Sequence, residues 1–298
     1  MTEKEPLLVL VGPTASGKSA LALRAAERLG GEIVSADSVQ VYRRFDVGSG
    51  KPTAEERQRV PHHLIDIAEP SEPMDAARWA ALAEDVIDGI RARGRVPIVC
   101  GGTFLWVRAL LLGLVPAPPA DDAVRARHAA TAEREGRPAL HAELDRVDPE
   151  SARKLAPNDF VRVSRALEVR ELTGKPLSEW HAAHGFRERR HAARLVGVKW
   201  SQEALSERIA ARARRMFDAG FVDEVRGLVA DGYASCRAMN AVGYRQIADA
   251  LARGVGPHDG VLDSVVRATR VFARRQRTWL RDEAVTWLDP GAADSFAG

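Results

Sequence analysis

Short apolar runs alternate with stretches of helical spacing over the first third of the chain. The runs are typical of buried strands and lie at residues 7–11, 32–37, 63–67 and 96–100. Residues 76–93 have apolar side chains at helical spacing that ends at Gly94, and further helices are predicted after residue 19 and from Phe104. Strands that alternate with helices indicate an α/β fold, with a parallel sheet and helices on both faces.

The pattern changes at residues 113–120, where prolines and alanines predict a stiff connection. Residues 121–194 are charged, have helical spacing and contain no convincing strand. An apolar run at 195–200 then predicts a strand that returns to the sheet. Helices are predicted after it at residues 203–217, 221–230, 243–252 and 262–281.

The chain has 298 residues and is 45% hydrophobic, which is enough for one large domain or two. We predict a catalytic core made of residues 1–115 and 195–298, with residues 116–194 inserted as an all-helical domain. The net charge is +3 and the isoelectric point is about 9.1, so a polyanionic partner is permitted but not required.

Targeting and redox signals are few. Cys100 and Cys236 lie far apart without a CxxC motif, which suits a reducing compartment and argues against a disulfide framework or a zinc site. The polar N-terminus predicts no secretory signal, and the longest apolar stretch, near residues 104–115, is too short to span a bilayer. We therefore expect a cytoplasmic protein that makes no membrane contact and acts as a monomer.

The first predicted strand leads into the spacing G-x-x-x-x-G-K-[ST] and then into a helical pattern, which is the order of a phosphate-binding loop. Its glycines let backbone N–H groups point at an anion, while the lysine and the helix N-terminus add positive charge. A chance glycine-rich turn is the alternative, and the flanking strand and helix argue against it. The predicted di- or triphosphate-binding residues are Gly12, Pro13, Thr14, Ala15, Ser16, Gly17, Lys18 and Ser19, of which Ser19 is also the predicted magnesium ligand.

Two more polar groups follow strands of the predicted sheet, where ligands of such sheets bind. Asp37 ends the second strand and is placed to accept a proton from a nucleophile that attacks the bound phosphate compound; a solvated carboxylate or a helix cap is the alternative. Thr103 follows two glycines and offers a hydroxyl and an amide to an anion or a metal, or acts as an ordinary N-cap. Because glycines rather than an acid follow the strand at 96–100, group transfer is favoured over nucleotide hydrolysis coupled to motion.

Arginines recur at steps of three and four along the last long predicted helix, so they lie on one face of it. A face built of arginine without interspersed acids suits contact with phosphate groups, although a solvated basic face is the alternative. Arginines in the insertion could serve in the same way, or they could pair with the acids among them. The residues are Arg267, Arg270, Arg274, Arg277 and Arg281 in the helix, and Arg162, Arg165 and Arg170 in the insertion.

Taken together, these motifs resemble the tRNA dimethylallyltransferases, also called tRNA isopentenyltransferases, in their compact bacterial form. The resemblance extends from about residue 7 to residue 289, and its departures, such as Trp106 and Leu280, affect only the expected shape of the isoprenoid pocket. The matching segments are residues 12–19, 37–42, 46–52, 61–66, 101–103, 165–169, 242–245 and 274–281.

The resemblance implies transfer of a dimethylallyl group from dimethylallyl diphosphate to the exocyclic amine of the adenosine 3′-adjacent to the tRNA anticodon, with Mg2+ as cofactor. It implies that Asp37 is the base, that Thr103 helps to hold the diphosphate and that Arg212 faces it. The tRNA anticodon stem-loop is the implied partner. The implied tRNA contacts are Asp37, Ser38, Val39, Gln40, Thr103, Arg125, Arg162, Arg165, Val242, Gly243, Tyr244, Arg245, Arg274 and Arg277.

Two other classes of function remain as alternatives. A small-molecule kinase of the shikimate-kinase type also joins a phosphate loop to an Asp after the second strand, but it needs neither a helical insertion nor an arginine face. A non-catalytic RNA-binding module would leave Lys18 and Asp37 without a purpose.

Overall fold

The computed structural model describes residues 6–185, 190–256 and 260–296. Its internal contacts divide the chain into two units, of which the first is Met1–Leu111 with His191–Gly298 and the second is Leu112–Arg190. The division differs by four residues at each end from the 116–194 insertion expected from the sequence. The second end is corrected because residues 193 and 194 already form part of a strand.

The first unit contains a parallel sheet of six strands within the described residues. Its order is β3-β2-β4-β1-β5-β6, so the strand that leads into the phosphate loop lies inside the sheet. The expected parallel α/β sheet is confirmed. The strands are β1 (Leu7–Val11), β2 (Gly31–Ser35), β3 (His62–His63), β4 (Val96–Gly101), β5 (Ala193–Val198) and β6 (Val285–Leu288).

Two strands differ from the sequence prediction. The strand expected at 63–67 is only the pair His62–His63, because Leu64 and Asp66 have positive φ angles of 61° and 59°, which end the extended backbone. The strand Val285–Leu288 was not predicted; it pairs in parallel with β5 at the edge of the sheet.

Helices connect these strands and make up the regular structure of the second unit within the described residues. The seven helices whose starts were predicted begin within two residues of those starts, whereas the helices at 54–59 and 290–295 were not predicted. The helices are α1 (Lys18–Leu29), α2 (Ala54–Arg59), α3 (Ala76–Ala92), α4 (Phe104–Leu112), α5 (Asp122–Glu135), α6 (Arg137–Val147), α7 (Pro149–Lys154), α8 (Phe160–Thr173), α9 (Leu177–His184), α10 (Gln202–Asp218), α11 (Phe221–Ala230), α12 (Tyr244–Ala252), α13 (Val261–Leu280) and α14 (Pro290–Ser295).

Strand β1 is buried on both faces, as its uninterrupted apolar sequence requires. Leu8 and Leu10 pack in one cluster with Leu21 of α1 and Val196 of β5. Since side chains alternate along a strand, the equally buried Val9 faces the other side of the sheet. The carboxyl end of β1, where the phosphate loop begins, is thereby fixed by packing on both faces.

The described part of the second unit contains five complete helices, α5 to α9, and no strand. Its apolar cluster includes Leu140, Leu144, Val163 and Leu167. Within the described part of the chain, no helix is both long enough and apolar enough to cross a membrane.

Candidate active site

Residues 12–17 form the loop between β1 and α1, and Lys18 and Ser19 begin α1, in the arrangement that a phosphate-binding loop requires. The loop bends sharply at Ala15 and Gly17, whose φ angles are 63° and 91°. A positive φ is unusual for alanine and is held only where the surroundings impose it. The first N–H groups of α1 have no acceptors within the helix, so its N-terminus offers hydrogen-bond donors and partial positive charge to an anion.

Three side chains from distant segments hold this loop, and we call them the phosphate-loop clamp: Trp200, Arg208 and Gln276. Trp200 Nε1 donates to the carbonyl oxygen of Ser16 at 2.9 Å, and Arg208 Nε donates to that of Ala15 at 2.9 Å. The Arg208 guanidinium also lies over the Trp200 ring, 4.3 Å from its centroid. Gln276 Oε1 accepts the N–H of Thr14 at 2.8 Å.

The clamp was not found from the sequence. Its members follow β5 or lie on α10 and α13, and nothing in their spacing relates them to the phosphate loop. The one available signal is the position of Gln276, because a polar residue three positions after Ala273 and four before Leu280 falls on the buried face of α13. A buried polar side chain needs hydrogen-bond partners.

The loops that follow β2 and β4 are joined to each other. Thr103 Oγ1 accepts a hydrogen bond from the backbone N–H of Ser38 at 3.1 Å, and Thr103 N donates to the carbonyl oxygen of Ala36 at 3.2 Å. A Cβ atom at Gly101 would lie 2.1 Å from the same Ala36 oxygen, so only glycine permits this approach. The structure thus brings the predicted Asp37 and Thr103 segments together.

Asp37 is held by its own turn. Its Oδ1 accepts the N–H groups of Val39 at 2.9 Å and of Gln40 at 3.3 Å. Its Oδ2 accepts no hydrogen bond from the residues that the structure describes, and the side chain lines the cavity at this edge of the sheet. One carboxylate oxygen is therefore fixed while the other faces open space.

Two cations and one carboxylate share this part of the site. Burial lowers the pKa of Lys18, although the nearby Asp37 opposes that effect. Burial likewise lowers the pKa of Arg212, again against the attraction of Asp37. Arg212 Nη1 donates to Thr14 Oγ1 at 2.5 Å, and Nη2 donates to the Ser49 carbonyl at 3.4 Å. Partly desolvated cations at the phosphate loop attract an anion more strongly than cations in water do.

A cavity of about 760 Å³ opens beside these groups. This volume lies within the usual range of small-molecule sites. Polar side chains on its wall include Lys18, Ser19, Asp37, Thr103 and Arg212. The apolar side chains that also line it include Val39, Ile209, Met216, Phe221, Val242, Val265 and Phe272. The cavity thus combines an anion cradle with apolar surface.

Glu224 holds one wall of the cavity. Its carboxylate accepts the backbone N–H groups of Asp46, Val47 and Gly48 at 2.6–3.1 Å. It also accepts the phenol hydrogen of Tyr244 at 2.7 Å. Burial, together with the Glu224 carboxylate, raises the pKa of Tyr244, which keeps the phenol protonated.

Several residues that were predicted to contact tRNA are buried or form hydrogen bonds with other residues of the protein. The Tyr244 side chain is only 1% exposed, so it is not available to a partner in this conformation. The Gln40 amide donates to the carbonyl oxygens of Ser49 and Gly50, at 3.3 and 3.0 Å. Neighbouring Val242 lines the cavity, and Arg245 is exposed on α12.

The arginines of the second unit also have internal partners. Arg125 and Arg165 both pair with Glu168, whose side chain is fully buried. Burial alone would raise the pKa of Glu168, but the hydrogen bonds from the two arginines outweigh it and lower that pKa. Arg162 is exposed and pairs with Asp159. The ion pairing left open as an alternative is therefore present in this unit.

The arginine face of α13 differs from these. Arg274 and Arg277 are exposed, and neither has a carboxylate partner within the described residues. Unpaired arginines on one helix face remain free to contact phosphate groups.

The protein side chains at the cavity could supply only some of the oxygen ligands that Mg2+ requires. Ser19 Oγ lies on the cavity wall, as does the Asp37 carboxylate. Among the described residues, no group of three or more His, Cys, Asp or Glu side chains could hold a metal ion. Mg2+ usually takes one or two protein oxygens and completes its shell with phosphate oxygens and water. The predicted ligand Ser19 is therefore compatible with an ion whose other ligands are phosphate oxygens and water.

Family comparisons agree with this geometry. Residues 40–283 match the family described as IPP transferase, and residues 6–69, which include the phosphate loop, match isopentenyl transferase. The chain belongs to the IPP transferase family. The resemblance drawn from the sequence motifs is thereby confirmed.

Relatives in this family share most of their length with the chain. The tRNA dimethylallyltransferase of Sorangium cellulosum is 62% identical over 282 residues, which are 95% of this chain and 90% of the relative. The tRNA dimethylallyltransferase of Anaeromyxobacter dehalogenans is 53% identical over 285 residues, with 95% and 93% of the two chains covered.

Solved structures in the family have the same fold. The tRNA isopentenylpyrophosphate transferase of Bacillus halodurans has a TM-score of 0.70 and 38% identity, over 96% of this chain and 90% of that one. A eukaryotic dimethylallyltransferase, described as acting on tRNA, has a TM-score of 0.73 and 25% identity, over 96% and 74%.

Proposed function

We propose that this protein transfers a dimethylallyl group from dimethylallyl diphosphate to the exocyclic amine of the adenosine 3′-adjacent to the tRNA anticodon, and releases diphosphate. The observation that carries the proposal is the convergence of the phosphate loop, Arg212 and the open oxygen of Asp37 on one cavity. Relatives named tRNA dimethylallyltransferase support the choice of donor and acceptor.

The anion cradle accounts for the leaving group. When the carbon–oxygen bond of the donor breaks, negative charge grows on the diphosphate. Lys18, Arg212 and the N-terminal N–H groups of α1 are positioned before the reaction, so they stabilise this charge without reorganising. The apolar residues of the cavity provide surface for the isoprenoid chain.

Asp37 accounts for the nucleophile. The exocyclic amine of adenine forms the new carbon–nitrogen bond and must lose a proton, which Asp37 Oδ2 accepts. Oδ1 stays bound to the turn, so the orientation of the carboxylate is set before substrates arrive. Thr103, held against Ser38, places its hydroxyl and the helix that follows it beside the same cavity.

Ser19 would hold Mg2+, together with oxygens of the diphosphate. Bound there, the ion supplies charge that neutralises the leaving group. The protein groups of the cradle act on the same charge.

The acceptor is proposed to be the anticodon stem-loop of a tRNA in the cytoplasm. The target base must leave its stack to reach a cavity of this kind. Arg274 and Arg277 would contact the RNA backbone, and the exposed Ser38 and Arg162 offer further contacts. For Arg125 and Arg165, the pairing with Glu168 gives each a structural role that would accompany any contact with tRNA.

A direct reaction tests the proposal. The purified chain is incubated with Mg2+, radiolabelled dimethylallyl diphosphate and unmodified tRNA, and the nucleosides are then analysed by mass spectrometry. A dimethylallyl-adenosine made by the wild-type chain and absent with Lys18→Met is the expected result. A parallel reaction contains ATP and small hydroxylated acceptors in place of the donor and tRNA. If the chain phosphorylates such an acceptor and no label enters RNA in the first reaction, the kinase alternative is correct and the proposal is wrong.

A further inference from the structure

Gln276 lies near the C-terminal end of α13, among arginines in the sequence, yet its side chain is buried. Its amide is shared between two loops that are far apart in the sequence. Oε1 accepts the N–H of Thr14 in the phosphate loop at 2.8 Å, and Nε2 donates to the carbonyl oxygen of Gly102 at 2.9 Å.

These two bonds need both halves of an amide. One group must accept a hydrogen bond while the other donates one, and glutamine does this at a single side-chain terminus. A Cβ atom at Gly102 would lie 2.5 Å from Gln276 Nε2, so the glycine is what lets the amide approach. The same point lies 3.6 Å from Lys18 Nζ, which places the amide close to the ammonium group of the anion cradle.

From Gly102, contacts continue to the proposed base. Gly102 precedes Thr103, whose hydroxyl accepts the N–H of Ser38, and Ser38 is the residue next to Asp37. On the other side, Thr14 also receives a hydrogen bond from Arg212. Strands β1 and β4 already pair side by side up to Val11 and Gly101. Gln276 adds a side-chain connection beyond the strand ends, between the segment that would hold the leaving group and the segment that would deprotonate the nucleophile.

We propose that Gln276 is a positioning residue that fixes the phosphate loop relative to the loop bearing Thr103, and thereby sets the alignment of the diphosphate with Asp37. The inference rests on the proposed prenyl transfer. Gln276 lines the cavity, and in this proposal it acts through the two loops that it holds in register rather than on the reacting atoms. Loss of this register impairs the chemical step more than the binding of either substrate, because each loop keeps its own groups.

Gln276→Met tests the bridge directly, since methionine has a similar length and makes neither hydrogen bond. We expect kcat to fall about 100-fold, the order of loss that misplaced reacting groups cause, while the KM for tRNA stays within about twofold. Thr278→Ala is the matched control, because it removes a side-chain hydrogen bond within the same helix and touches neither loop. Wild-type kcat in Gln276→Met, measured per folded molecule, would overturn the proposal.

Gln276→Glu tests where the side chain lies. Its carboxylate still accepts the Thr14 N–H, but it places a negative charge near Lys18 that competes with the ligand. We expect the affinity for inorganic diphosphate, measured by calorimetry, to fall about tenfold in the Glu variant and to change little in the Met variant, as charge competition predicts. A residue that only stabilised α13 would give the same affinity in both variants, which would contradict the placement.

A double-mutant cycle with Thr103→Val separates positioning from general destabilisation. If Gln276 acts through the Gly102–Thr103 loop, kcat of the double variant is at most about threefold below that of the more impaired single variant, since the effects of coupled residues are not additive. Fully additive losses would overturn the proposal. If the wild-type chain forms no prenylated tRNA at all, the proposed function fails instead, and the diphosphate titrations still test the place of Gln276.

Discussion

The hydroxyl oxygen of Thr103 accepts the backbone N–H of Ser38 at 3.1 Å, across 65 residues of sequence. This bond joins the ends of β2 and β4, which are neighbours in the sheet. Because Ser38 follows Asp37 directly, the position of the carboxylate depends on a residue in another loop. The proposed base and the proposed diphosphate contact thus form one unit.

Replacement of Asp37 by asparagine should remove the base and keep the turn. The Asn side-chain oxygen can still accept the N–H of Val39, so the loop is retained. We expect kcat to fall by about 100- to 10,000-fold, the usual contribution of a general base, with tRNA affinity unchanged. Single-turnover prenylation and filter binding measure the two quantities. Asp85→Asn, on the exposed side of α3, is the control. Near-normal turnover in Asp37→Asn would remove Asp37 as the base.

Arg212→Lys should weaken diphosphate binding. Lysine keeps the positive charge, but it cannot contact Thr14 Oγ1 and the Ser49 carbonyl together, as the guanidinium does. We expect the affinity for inorganic diphosphate to fall about tenfold, which corresponds to about 1.4 kcal/mol. Calorimetry measures it, and Arg214→Lys, an exposed change on the same helix, serves as the comparison. Equal affinities in the two variants would show that Arg212 does not face the anion.

Gly101→Ala should destabilise the core. The added Cβ would lie 2.1 Å from the backbone oxygen of Ala36, which cannot move without disturbing β2. We expect the free energy of unfolding to fall by about 2–3 kcal/mol, as in other overpacked interiors. Gly89→Ala on α3 meets only ordinary contacts and should raise it by about 0.5–1 kcal/mol, because alanine favours helix. Urea unfolding measures both. Equal effects of the two changes would be inconsistent with this packing.

Glu168 should make the stability of the helical unit depend on pH. Its pKa is lowered below the ordinary value of 4.5, so its ion pairs with Arg125 and Arg165 stabilise the fold above that pH. The contribution is lost as the pH falls through the lowered pKa of the folded protein. We expect the free energy of unfolding of wild type to exceed that of Glu168→Gln near neutrality. The difference should shrink as the pH falls below about 4.5 and through the lowered pKa of Glu168 in the folded protein. A difference independent of pH would contradict the assignment.

Removal of the exposed arginines of α13 should change how RNA binding depends on salt. If Arg274 and Arg277 each bind a phosphate, Arg274→Gln with Arg277→Gln should reduce the slope of log affinity against log salt by about 0.7–0.9 for each of the two arginines. Filter binding of tRNA at several salt concentrations measures the slope. Arg59→Gln, whose partner is Glu27, is an exposed control. An unchanged slope in the double variant would place the RNA elsewhere.

Local patterns predicted the elements nearest the site. The apolar run of β1, the glycine spacing after it and the helix pattern from Lys18 all lie within a short segment, so they could be interpreted together. Strand β6 was missed because its four residues are only partly buried and show no clear alternation. Helix α2 is polar throughout, although the capping box of Thr53 and Glu56 was an available sign of its start.

The ligand-facing groups of the site could be predicted, but the groups that support them could not. Lys18, Asp37 and Thr103 follow strands, and parallel strands bring their carboxyl ends to one edge. Trp200, Arg208 and Gln276 reach the same edge only through tertiary packing, which no spacing encodes. The burial of Tyr244 could not be predicted from the sequence either, because the position of its ring depends on Phe45 and Phe221 from other segments.

The two hydrogen bonds that Gln276 makes to Thr14 and Gly102 have a consequence for the nascent chain. A ribosome adds Gln276 262 residues after Thr14, so the glycine-rich segment emerges long before its hydrogen-bond partner is made. A nascent or prematurely released polypeptide that stops short of α13 would carry the whole motif without the rigidity that the amide confers. Alignment of the two loops for the transfer step is thereby tied to the synthesis of α13.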